Sequence, residues 1–124
     1  MSRSVQREKA VLSLYAYLSL PRDIHSIMED SFGSLDKADP YFIRVVENAQ
    51  EHIQEYTNYI NQVLENWTFD RLGTIEKAIL LIGCAEFSLK EVAAVIIIDE
   101  AVELAKTYGE ADSYRLINNV LDVI

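Results

Sequence analysis

Apolar residues along this chain fall mostly three and four positions apart, the spacing of helices that each turn one face inward. Val11, Leu14, Tyr15 and Leu18 make the first stripe, on a helix predicted from about Ser4 to Leu20 and ended by Pro21. Arg3 and Arg7, four apart, share one face of it. Residues 22–33 read as a short helix around Ile24, Ile27, Met28 and Phe32 that stops at Gly33. Asp39 before Pro40 is a start signal, because the carboxylate caps free amides and proline suits the first helical position. From there Phe42, Val46, Ala49, Ile53, Tyr56, Ile60, Val63 and Trp67 predict one buried seam of about seven turns, with Thr57 and Asn58 as the place for a break. Thr74 opens a further helix through Ile75, Ala78, Ile79 and Ile82, capped on Thr74, with Lys77 at the third position in place of the acid of a capping box. Val92 to Ile98 is locally strand-like, but its continuation through Ala101, Val102, Leu104 and Ala105 favours a buried helix on length. Gly109 ends that helix, and Asp112 or Ser113 caps a last one carrying Leu116, Ile117, Val120 and Leu121. The expectation is one all-α domain of six or seven helices spanning residues 1–124, without repeats or linkers.

Composition sharpens this little and excludes much. Half of the 124 residues are hydrophobic, with four Gly and two Pro, which fits a packed domain with roughly 6,700 Å² of folded surface. No apolar run approaches the roughly 20 residues of a membrane span, and Met1 to Lys9 holds no apolar signal core, so a cytoplasmic location is expected. Cys84 is the single cysteine, which excludes an intrachain disulfide and reads as a small core residue. The net charge of −9 is uneven: residues 1–22 set Arg3, Arg7, Lys9 and Arg22 against Glu8, whereas everything downstream is acidic. A polyanion would be attracted only to the N-terminal segment or to a local basic cluster.

Enzyme chemistry finds no constellation. His25 and His52 lack a carboxylate or Cys at ligand or triad spacing, no Gly-rich phosphate loop is present, and Asp99, Glu100 and Glu103 read as a solvated acidic face. Neither catalysis, a metal nor a cofactor is expected.

Several ordered motifs are more specific. Trp67-x-x-x-Arg71-Leu72-Gly73, Glu76-Lys77-Ala78-Ile79-Leu80, Glu86-Phe87 and the run from Ile98 to Gly109 are followed by Asp112-Ser113 and Asn118-x-Val120-Leu121-Asp122. Together with Arg7-Glu8-Lys9-Ala10 and Leu14-Tyr15, this sequence resembles the NusB family of transcription antitermination proteins along its whole length, most strongly from Trp67 onward. The resemblance implies two packed three-helix subdomains. It also implies a heterodimer with NusE, the ribosomal protein of the small subunit, that binds boxA RNA within the RNA polymerase antitermination complex. By position, Tyr15, Ser19 and Glu76 resemble residues of the NusE surface. Arg3, Arg7, Asp112, Ser113, Arg115 and Leu116 resemble residues of the RNA face. Such types suit the task, since Arg offers a fork to phosphate and Asp or Ser can hydrogen-bond base edges or 2′-hydroxyls. Taken singly they also have plainer roles: Asp112 and Ser113 as caps, Tyr15 as core, Glu76 as an acid favouring its helix N-terminus. Three departures bear on RNA, the first being Arg3-Ser4-Val5-Gln6-Arg7 where an arginine cluster is usual in the N-terminal arm. Ala93-Ala94-Val95 replaces a Pro-Tyr-Lys segment, and Leu116 stands where an aromatic is common. The alternative function is a protein-interaction adapter of this fold that binds RNA weakly or not at all.

Overall fold

The computed structural model describes all 124 residues. Its backbone forms α1 (Arg3–Ser19), α2 (Ile24–Phe32), α3 (Pro40–Glu51), α4 (Ile53–Val63), α5 (Thr74–Leu89), α6 (Ala94–Tyr108) and α7 (Ser113–Val123), with short 3₁₀ turns at Leu35–Lys37 and Phe69–Arg71 and no strand. The all-α reading with seven helices holds, and the folded surface is 6642 Å².

Side-chain caps set the starts of α1, α2 and α3. Ser2 accepts the Val5 N–H at 3.2 Å, Asp23 the Ser26 N–H at 3.0 Å and Asp39 the Tyr41 N–H at 2.8 Å, each satisfying one of the amides a helix start leaves free. Gly33 closes α2 at φ +88°, a conformation that disfavours any Cβ. Buried Gln6 then fastens the turn before α3, donating to the Lys37 carbonyl at 3.0 Å and accepting the Asp39 N–H at 2.9 Å.

Helices α1, α2 and α3 pack as one group, α5, α6 and α7 as another, and the two are joined where α1 and α3 lie on α5. Leu14, Met28, Phe42, Val46, Ile79, Leu80, Ile117 and Leu121 fill the shared core. Helices α1 and α5 run antiparallel, with Arg7 against Glu86 and Val11 beside Ile79 and Ile82.

Three expectations need correction. The seam from Phe42 breaks at His52, not at Thr57 or Asn58. His52 leaves helical geometry (φ −114°, ψ 21°), and its Nδ1–H donates to the Asn48 carbonyl at 2.8 Å, competing with the backbone ladder. The seam also ends at Val63: Trp67 is 53% exposed, outside any helix, while Phe69 and Leu72 take the core positions. Second, α5 is capped at Gly73, one residue before Thr74. The third position is therefore Glu76, whose Oε1 accepts the Gly73 N–H at 2.8 Å. Third, the stretch becomes helical only from Ala94, after Val92 and Ala93, and Val95 and Ile96 on that first turn face outward while only Ile97 is fully buried.

Candidate functional site

The N-terminal cations are placed differently from what their spacing suggests. Arg3 and Arg7 do share a face of α1, since both guanidinium groups lie over the Phe42 ring, at 5.3 and 5.1 Å from its centroid. That face looks inward at Arg7. Its Nε and Nη2 donate to the two Glu86 carboxylate oxygens at 2.6 and 2.8 Å, and Nη1 to Glu100 at 3.2 Å. Tyr41 OH donates to Glu86 at 2.8 Å, and Ser4 Oγ to Glu100. Burial alone would lower the Arg7 pKa; the hydrogen bond and charge of Glu86, with Glu100 adding, outweigh it and hold the group above its ordinary value. Arg7 is only 3% exposed and its fork is taken by carboxylates, so the structure places it in the protein's own packing and not free on the surface beside Arg3.

Lys9 donates to the Ser31 carbonyl at 3.3 Å, and Arg22 is paired with Asp30 at 2.6 Å. The local excess of positive charge therefore reaches solvent mainly through Arg3, which is exposed, rests on the Tyr41 ring at 4.7 Å and has no carboxylate partner.

The other candidates gather at the α6–α7 junction. Asp112 sits at the N-cap of α7 yet makes no side-chain cap bond, so its exposed carboxylate is free. Ser113 is buried, and its hydroxyl donates to Glu76 Oε2 across the cleft between α5 and α7. Glu76 thus holds the Gly73 amide with one oxygen and Ser113 with the other, which links a residue expected on the protein-partner surface to one expected on the RNA face. Gly109 makes this junction possible: a Cβ there would lie 2.7 Å from Ser113 Cβ and 2.8 Å from the Ala105 carbonyl. Arg115 is exposed and leans on Tyr114, donating to its hydroxyl at 3.1 Å, and Leu116 is half-buried.

Around these residues opens a cleft of about 580 Å³ whose walls include Trp67, Arg71, Glu76, Asp112, Ser113 and Leu116. Trp67 and Arg71 were absent from the expected site because Trp67 reads as the end of a buried seam; the polar Glu65-Asn66 just before it was the available signal. Tyr15 is exposed rather than core. The antiparallel register carries it and Ser19, which donates to the Tyr15 carbonyl at 2.9 Å, toward the end of α5 where Glu76 lies. Elsewhere, His25 pairs with Glu47 at 2.6 Å on the surface, and burial pushes the Cys84 thiol up to about 12.

A two-bundle helical scaffold with polar residues clustered at the ends of α1, α5 and α7 is the arrangement to set beside known proteins. The NusB family matches residues 4–124, and the chain belongs to it. It is 31% identical over 122 residues to the transcription antitermination protein NusB of Shouchella clausii, covering 98% of this chain and 92% of that one. In shape it matches NusB of T. maritima with a TM-score of 0.87 over 99% of this chain and 89% of that one, at 24% identity. A chain in the crystal structure of antitermination factors NusB and NusE in complex with dsRNA matches at TM-score 0.86 and 25% identity, covering 98% of this chain and 93% of that one.

Proposed function

We propose that this chain is a cytoplasmic transcription antitermination factor that binds boxA-type single-stranded RNA as a heterodimer with NusE, supporting ribosomal RNA transcription within the RNA polymerase antitermination complex. The observation that carries this reading is family membership over residues 4–124. The near full-length likeness to a chain of a NusB–NusE–dsRNA assembly adds support. Its work is binding, not catalysis.

In this reading the RNA face consists of Arg3, Asp112, Arg115 and Leu116, with Ser113 orienting the junction through Glu76 and Arg7 bracing the helices beneath. Tyr15, Ser19 and Glu76 face NusE. A surface of net charge −9 repels phosphate, and Arg7, Arg22 and Arg44 are already paired with carboxylates, so the isolated chain binds RNA weakly and NusE supplies much of the attraction.

Electrophoretic mobility of single-stranded boxA and of a scrambled strand, each with and without NusE, tests the reading. The expected result is a shift of boxA that strengthens markedly with NusE. Formation of the heterodimer without any preference for boxA would favour the adapter reading instead.

A further inference from the structure

We propose that Trp67 and Arg71 form a base-stacking subsite for single-stranded RNA, continuous with the face at the start of α7; this rests on the RNA-binding reading above. Trp67 is held outside the core by its surroundings. Asn66 turns the chain at φ +66°, the Phe69 N–H is fixed to Asn61 Oδ1 at 2.7 Å, and the buried Phe69 and Leu72 anchor the segment on the far side. The indole is thus presented from a fixed turn with about half its surface in water.

Two concavities meet at this residue and share Arg71. One is the cleft of about 580 Å³ that reaches Asp112, Ser113 and Leu116; the other, about 480 Å³, is shallower and lined by Asn66, Thr68 and Asp70. Arg71 is exposed and makes neither an ion pair nor a side-chain hydrogen bond. Of the six arginines, Arg7, Arg22 and Arg44 are paired with carboxylates, which leaves Arg3, Arg71 and Arg115. Two of those three already belong to the proposed RNA face, and Arg71 is the third.

The charges within the cleft select how a strand would lie. Glu76 is engaged by Gly73 and Ser113, but the exposed Glu110 and Asp112 remain acidic and repel phosphate. They accept hydrogen bonds from base amino groups and 2′-hydroxyls. Phosphate is therefore directed to Arg71 and a base to the indole face, with Leu116 lining the same cleft, an arrangement that an aromatic platform beside one cation serves for single strands. A basic peptide would meet the acids as well, yet it would have to seat against an unpaired Arg71.

Trp67 is the chain's only tryptophan, so its emission reports on this site. The experiment titrates the chain, alone and with NusE, with single-stranded boxA RNA while following tryptophan fluorescence, with a Trp67→Phe heterodimer to subtract any signal from NusE. Quenching attributable to Trp67 is expected on RNA addition. Trp67→Ala should weaken RNA binding about tenfold, Trp67→Phe should recover most of that loss, and Arg71→Ala should reduce the log–log salt slope by about 0.7. RNA binding without quenching, and with unchanged affinity in Trp67→Ala, overturns the subsite while leaving the RNA reading in place. Quenching by NusE alone, with Trp67→Ala losing affinity for NusE and not for RNA, makes the cleft a protein contact and also overturns it. Absence of RNA binding in every arm removes the subsite together with the reading it rests on. The wild-type quenching arm decides the matter even if Trp67→Ala fails to fold.

Discussion

Arg7 illustrates how a residue type suited to phosphate becomes structural once its neighbours are known. Its guanidinium is enclosed by Glu86, which is 1% exposed, and by Glu100 and Phe42, so α1, α3, α5 and α6 converge on one charge. Removing one member of a buried pair leaves the other without compensation. Glu86→Ala is therefore expected to destabilise the fold by about 3–5 kcal/mol in urea denaturation, and Arg7→Lys to be poorly tolerated because an ammonium lacks the two-pronged geometry. Cys84 and Tyr41 carry a pH consequence. Burial raises the Cys84 thiol to about 12, and burial followed by the hydrogen bond to Glu86 raises the Tyr41 phenol. Both are raised in the folded state, so the stability they contribute is complete below their unfolded values, about 8.5 and 10, and is lost as pH climbs through the folded ones. Stability measured by denaturant titration should fall above roughly pH 9. Cys84→Ala should flatten the first part of that decline, and Tyr41→Phe the later part.

At the level of elements, end chemistry decides more than propensity. Asp23, Asp39 and Gly33 act where their types suggest, whereas α5 takes its cap from a glycine and an acid that reaches back to it. Gly33→Ala should cost about 1–2 kcal/mol in thermal or urea unfolding from backbone strain. An added Cβ would meet only the Lys37 side chain, at 3.7 Å, so crowding adds nothing to that cost. The α3–α4 break at His52 shows a polar side chain bonding its own helix and ending it, within a stripe whose apolar spacing runs on undisturbed.

For the whole molecule, the acidic surface and the linked faces shape how binding should be probed. Glu76→Lys is a poor probe of the NusE surface, because it removes the Gly73 cap and the Ser113 bond along with the charge. Glu76→Gln keeps an acceptor oxygen for the Gly73 amide and reverses the Ser113 contact, its amide N–H donating to the hydroxyl oxygen, so both partners are kept while the charge is removed. It should retain the thermal stability of the parent to within about 1 kcal/mol while weakening NusE binding measured by calorimetry. Replacing Arg3 and Arg115 together with Ala should lower RNA affinity of the heterodimer and flatten its log–log salt dependence by about 1.4, or 0.7 for each single-strand phosphate left without its cation. Arg7→Ala, by contrast, should reveal itself first as reduced stability.

Helical periodicity, the cap at Asp39 and the stop at Gly33 were legible because they depend on residues within a turn or two of each other. The motifs from Trp67 to Asp122 likewise carried the family, since their order and separation belong to the chain itself. Burial and pairing were not legible. The outward turn of Trp67, the saturation of Arg7 and the bond between Ser113 and Glu76 depend on partners 37 to 93 residues apart or on which of several apolar positions wins the core. Local spacing specifies which face a side chain shares; only the packing of α1, α3, α5, α6 and α7 decides what that face meets, because desolvation and charge pairing act through space and not along the chain.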